Sequence, residues 1–200
     1  MDPVFSALST HFSTLMAREQ PEKLVVGLSG GLDSVVLLHS LMQLSRSGEL
    51  AVPTIEAVYV NHGLSANAGD WQKFCVQVCK ELDVSFTAIA VEVTPRARES
   101  LEACARDRRY AALCEHAKAA KSVIVTAHHQ NDQLETLLLQ LKRGSGPKGL
   151  SGIAAFSVMN SVPVSRPLLT LSRAQILDYA RQNDLRWIED ESNSDESFDR

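Results

Sequence analysis

The hexapeptide Ser29-Gly30-Gly31-Leu32-Asp33-Ser34 separates two apolar runs, Leu24–Leu28 and Val35–Leu38. Its glycines lack Cβ atoms, so the backbone there can adopt left-handed angles and come close to a ligand. Ser34 opens what reads as a helix, where free backbone N–H groups and the helix dipole favour an anion. Ser29 and Ser34 add hydroxyl donors, and the set suits a phosphate or pyrophosphate. A tight strand-to-helix turn, with Asp33 as a local cap, accounts for the same residues without a ligand. Asp33 argues against that simpler reading. A carboxylate beside a phosphate is repulsive unless a metal or a cationic substrate lies between them. Asp33 is therefore a candidate Mg²⁺ ligand, an amine contact, or both. Two common phosphate loops do not apply: no Lys precedes Ser34, and the glycine spacing fails the pattern G-x-G-x-x-G.

A second constellation lies in Ala127–Gly146. His128, Asp132 and Glu135 are spaced i, i+4 and i+7, which places them on one face of a helix starting near His129. Two plainer readings stand beside a catalytic one. His128, His129 and Asp132 would make an incomplete metal set. Asp132 and Glu135 would also favour the positive end of any helix dipole. Farther upstream, Arg106 and Arg109 are three apart and share a helix face, where a solvated basic face is the ordinary outcome. Lys142, Arg143 and Lys148 stand among glycines and are candidates for a nucleic-acid contact, or simply a solvated loop.

The elements that must position these residues alternate. Strands are expected over 23–29, 54–63, 84–93, 122–129 and 161–169, the last marked as an edge by its prolines. Helices are expected near Val4–Ala17 and over 34–44, 70–82, 98–120, 131–143 and 172–184. This predicts an α/β fold: an open, doubly wound parallel sheet of about five strands with helices on both faces. Ligands bind such sheets beyond the carboxyl ends of the strands. That rule gathers Ser29–Ser34, Val60–Gly63 and Thr126–Asp132 on one rim.

At 200 residues and 44% hydrophobic content the chain can build one full core. A net charge of −4 gives no general footprint for nucleic acid. Cys75, Cys79, Cys104 and Cys114 lie within helical patterns, away from the expected rim, and read as buried small hydrophobes in a reducing compartment. No secretory signal is visible, and no stretch approaches the roughly 20 apolar residues of a membrane span. A cytoplasmic protein without membrane contact is expected.

The Ser29–Ser34 segment after a buried strand resembles the pyrophosphate loop of the N-type ATP pyrophosphatase superfamily. That resemblance implies ATP held by Ser29, Gly30, Gly31, Leu32, Asp33 and Ser34, with backbone contacts to adenine near Val60. His128, His129, Asp132, Glu135, Thr136 and Arg143–Gly146 resemble the HHxxDxxET and RGSG segments of the tRNA(Ile)-lysidine synthetase family. The stretch 59–64 and the segment Glu102, Arg106, Arg109, Tyr110 agree with it, with Asn61 where that family commonly has Asp and Ala127 where it commonly has Gly. The resemblance implies a ligase with ATP and Mg²⁺ as cofactors. By that resemblance, ATP would adenylate the 2-oxygen of the wobble cytidine of an isoleucine tRNA, and L-lysine would displace AMP to form lysidine, changing codon reading from AUG to AUA. It further implies Asp33, Arg106, His128 and Glu135 as catalytic residues, and Asp33, Asp132 and Glu135 as contacts to the substrate lysine. Lys142, Arg143 and Lys148 would face tRNA, and a homodimer is left open. The chain would be the catalytic portion of a longer protein whose C-terminal tRNA-binding domains lie beyond it, with 186–200 starting a loop or linker. A cytidine 2-thiolase of the same superfamily and a non-catalytic nucleotide- or tRNA-binding module are the alternatives.

Overall fold

The computed structural model describes residues 2–95, 100–118, 120–144, 146 and 150–189, with Glu102 described by its backbone alone. Six strands form one sheet: β1 (Lys23–Gly27), β2 (Thr54–Asn61), β3 (Ser85–Ala90), β4 (Ser122–Val125), β5 (Phe156–Met159) and β6 (Val162–Ser165). The order is β3-β2-β1-β4-β6-β5, parallel throughout except for the antiparallel β5–β6 pair. The connections are α1 (Pro3–Glu19), α2 (Leu32–Ser47), α3 (Ala68–Leu82), α4 (Leu101–Ala117), α5 (Gln130–Lys142) and α6 (Arg173–Gln182). The doubly wound parallel sheet expected from the sequence is the observed fold.

Strand β1 shows why the pattern is so apolar. Both of its faces are covered, so period-2 alternation is hidden behind a continuous apolar run. Leu24 and Val26 join a core shared with α1, α2, α3 and α6, while Val25 joins a smaller core under α4. The chain leaves β1 toward β2 and β3, then returns through α4 to place β4 on the other side of β1. The strand order therefore reverses between β1 and β4, and an open sheet leaves its ligand crevice at that point.

One polar knot ties the strands under α4. Glu56 of β2 accepts from Lys23 of β1, from Thr87 of β3 at 2.6 Å and from His116 of α4 at 3.0 Å. Burial would raise its pKa, but hydrogen bonds from Lys23, Thr87 and His116 outweigh this and hold it at about 2, against an ordinary 4.5.

The strand count and one edge differ from expectation. The segment after the glycine-rich loop folds as a hairpin, and Asn160 and Ser161 take φ of 48° and 66° in a two-residue turn. β6 therefore lies inside, between β4 and β5, and β5 is the edge. Pro163 is tolerated because the ladder to β4 begins only at Ile124↔Val164, so its missing N–H falls at the ladder's end.

The Glu56 knot makes a pH prediction. A depressed carboxyl pKa stabilises fully above the unfolded value and loses that effect as pH falls through the folded one. In urea denaturation, wild type should exceed Glu56→Gln by about 2 kcal/mol at pH 7, after discounting for the partly exposed Lys23 and His116. The gap should narrow between pH 4.5 and 2. A gap independent of pH would contradict this account of the knot.

Candidate active site

The turn from β1 into α2 is built from its own hydroxyls. Ser34 Oγ donates to the Gly31 carbonyl at 3.0 Å and accepts from the Ser29 N–H at 3.2 Å. The two serine oxygens are 3.1 Å apart, and the Gly31 N–H donates to Ser29 Oγ at 3.4 Å. Gly30 has φ of +88°, and a Cβ there would meet Ile188 Cδ1 at 2.7 Å and Cys75 Sγ at 3.2 Å. Only glycine fits that position. Side chains cap α1, α4, α5 and α6, but none caps α2 or α3. The first amides of α2 are thus left for an anion. The cysteines are buried as expected, but Cys75 differs in place: its sulfur lies against the loop.

Asp33 sits in the first turn of α2, where the dipole favours a negative charge. Its Oδ2 lies 3.5 Å from Arg173 Nη1 and its Oδ1 lies 3.6 Å from His129 Nε2. At 3.6 Å the histidine contact is electrostatic rather than a hydrogen bond. Oδ1 is therefore a buried oxygen without a hydrogen-bond partner. An acceptor in that state fits an ammonium group or a divalent cation. His129 is held from behind. Its Nδ1 accepts from the Asn131 N–H at 3.2 Å, and Asp132 Oδ2 accepts from the His129 N–H at 2.7 Å, closing a capping box on α5. With Nδ1 accepting, the neutral ring carries its proton on Nε2 and turns it toward Asp33. Burial lowers the pKa of His129, but the Asp33 and Asp132 carboxylates outweigh it and the net shift is upward.

His128 turns the other way. Alternation along the end of β4 puts Val125 and His129 on the α2 side, and Ile124, Thr126 and His128 on the α4 side. His128 Nδ1 is 2.9 Å from Thr126 Oγ1, and Nε2 is 3.5 Å from both Arg106 Nη2 and Tyr110 Oη. Arginines donate only, so Nε2 is an acceptor and Nδ1–H donates to Thr126. Burial, with the charges of Arg166, Arg106, Arg109 and His129, pushes its pKa down to about 3.

The remaining sequence-predicted residues spread along the rim. Val58 accepts from Leu28 and Asn61 accepts from Val91, so alternation points the N–H and C=O of Val60 toward β1, beyond where β1 ends. Glu135 is exposed one turn along α5, and Asp132 spends one oxygen on the cap. Lys142 and Arg143 are exposed at the C-terminal end of α5, and Lys148 lies outside the described residues. Three residues were not singled out from sequence. Gln133 clasps Ile153 through both amide atoms and ties the glycine-rich loop back. Arg166 is buried on the α4 side. Arg173 opposes the helix dipole at the start of α6, and that misplacement was its signal.

An uncapped helix start after β1, a backbone edge at the end of β2 and a polar loop after β4 make up a candidate nucleotide site on a doubly wound sheet. The model of the PP-loop domain family (ATP_bind_3) matches residues 5–200. The chain belongs to that family. It is 46% identical over 178 residues to a tRNA(Ile)-lysidine synthase of Histophilus somni, covering 89% of this chain and 40% of that protein. It is 49% identical over 176 residues to one from Actinobacillus pleuropneumoniae, covering 88% and 40%. The chain thus spans about two fifths of the length of these relatives. Among solved structures it resembles the U34-tRNA thiolase NcsA from Methanococcus maripaludis, at 16% identity and a TM-score of 0.72, covering 93% of this chain and 65% of that one. It also resembles the NH3-dependent NAD synthetase from Campylobacter jejuni, at 16% identity and a TM-score of 0.59, covering 92% and 73%. These two likenesses concern the fold.

The adjacent histidines should titrate apart. NMR of the ring nitrogens should show His128 neutral from pH 8 to pH 5, with its midpoint near 3, and His129 with a midpoint above 6.5. Coincident midpoints near 6.5 would contradict the opposed environments.

Proposed function

We propose that this chain carries the ATP site and reaction centre of a tRNA(Ile)-lysidine synthase. The observation that carries the reading is the meeting of two loops at the β1–β4 switch point. The uncapped start of α2 meets the loop that leads to Glu135 through Asp33 Oδ1 and His129 Nε2, which are 3.6 Å apart. The match over nearly the whole chain to proteins of that name supports the same reading.

The free amides of α2 and the Ser29–Ser34 hydroxyls hold the ATP phosphates, and the Val60 backbone meets adenine. The 2-oxygen of the wobble cytidine attacks the α-phosphorus and pyrophosphate leaves. The lysine ε-amine then attacks C2, the C2–O2 bond breaks and AMP departs. Asp33 accepts the ammonium proton or orients the amine, since a protonated amine is no nucleophile. Glu135, and Asp132 through its second oxygen, complete the amine environment. Arg106 and neutral His128 face developing phosphate charge. Mg²⁺, held by Asp33 and the phosphates, would neutralise the leaving pyrophosphate. Positioning and preorganised charge supply most of the acceleration. Isoleucine tRNA and L-lysine are the proposed substrates, with Lys142, Arg143 and Lys148 on the tRNA side; a homodimer and a cytoplasmic location remain part of the proposal. Among the described residues no helix is long and apolar enough to cross a membrane. Sulfur transfer is disfavoured, because burial pushes Cys75 and Cys79 up to about 12 and 11, where thiolates are scarce.

Mass spectrometry of an isoleucine tRNA incubated with the full-length protein, ATP and lysine should show the wobble cytidine heavier by lysine minus water. Glu135→Ala should reduce lysine incorporation at least a hundredfold while circular dichroism stays unchanged. Unmodified cytidine with the wild-type protein would overturn the reading.

A further inference from the structure

Among the described side chains, the α4 side of the β4 end gathers arginines without a carboxylate partner. Arg106, Arg109 and Arg166 all act on His128 there, and His128 is itself neutral at physiological pH. Among the described residues, none of the three guanidiniums is paired with a carboxylate. Arg106 and Arg109 lie over the Tyr110 ring, at 5.5 and 5.7 Å from its centroid. Burial, with Arg106 close by, pulls down the pKa of Arg109.

Arg166 is the most telling of the three. It follows β6, where Val164 joins the α4-side core and Ser165 meets His11 of α1, so alternation carries Arg166 to the α4 side. Only 6% of it is exposed. Its Nη1 donates to the Ala154 carbonyl at 2.8 Å and to Ser157 Oγ at 2.9 Å, which fixes the guanidinium. Its Nε is buried without a partner. A buried cation with an unused donor is costly unless an anion arrives to use it. A planar guanidinium is suited to two-pronged contact with an oxyanion.

We infer that Arg106, Arg109 and Arg166 frame an oxyanion subsite on the α4 side of the rim, across β4 from Asp33, which takes a carboxylate or phosphate group of a substrate. It deepens the function proposed above, and rests on it only for the identity of that substrate. Free lysine presents a carboxylate at the far end from its ε-amine, and the nucleotide presents phosphates. The subsite and Asp33 then form opposite poles of one crevice: cation-seeking on the α2 side, anion-seeking on the α4 side.

The test follows the ring signals of His128, and separately the amides of Gly30 and Gly31, while the intact protein is titrated with inorganic pyrophosphate, L-lysine or L-lysinamide. The subsite predicts that pyrophosphate, or L-lysine but not L-lysinamide, shifts His128. The first result assigns the oxyanion to the nucleotide and the second to the amino acid. Arg166→Gln should weaken that binding at least tenfold while His129 signals and circular dichroism stay unchanged. Arg109→Gln should do the same and keeps the test open should the buried substitution fail to fold. If none of the three ligands moves His128, or if Arg109→Gln and a folded Arg166→Gln bind them as wild type does, the inference is overturned. Lysidine formation with a silent His128 would remove the subsite and keep the proposed function. A responsive His128 without lysidine formation would do the reverse.

Discussion

The arrangement depends on one carboxylate held where strand β1 gives way to α2. Asp33 gains from the α2 dipole and from Arg173 and His129, yet one of its oxygens keeps no hydrogen bond. A fold that only needed a tight turn would not leave a buried acceptor idle. Much of the rim follows from keeping that acceptor in place. His129 faces it because Asn131 and Asp132 fix the imidazole and open α5 at that residue. Arg173 reaches it because α6 starts beside α5, with its N–H donating to the Asn131 side chain at 3.2 Å.

The sheet then separates two electrostatic worlds across β4. Consecutive histidines point to opposite faces, as any two neighbours in an extended chain must. On the α2 side carboxylates draw the pKa of His129 upward, and on the α4 side burial and arginines drive that of His128 down. A substrate lying across the rim meets an acid-lined pole and a base-lined pole within one strand's width. That is the requirement for orienting a molecule bearing both an amine and an oxyanion.

The residues that declare themselves in the sequence are those whose role is local. Gly30 is dictated by a positive φ, and Ser29 and Ser34 by bonds spanning five residues. The strand–helix alternation is equally local, so the sheet was legible. Asp132 shows the limit: its spacing suits a substrate contact, while its nearer partner is the backbone N–H three residues back. The β5–β6 hairpin was missed because Asn160-Ser161 is a weaker turn signal than Asn-Gly, and the proline in β6 suggested an edge. Arg166 and Arg173 were illegible for another reason. They meet His128 and Asp33 only across the folded rim; nothing beside Arg166 announces the encounter, and the one hint for Arg173 is a cation at a helix start, where the dipole disfavours it.

In the proposed reaction the Ser29–Ser34 loop presents ATP for attack at its α-phosphorus. Phosphorus NMR of the full-length protein turning over ATP with isoleucine tRNA and lysine tests it most directly. The account predicts AMP and pyrophosphate in equal amounts on turnover, with sustained turnover and AMP release only when both tRNA and lysine are present. ADP and inorganic phosphate as the products would contradict it.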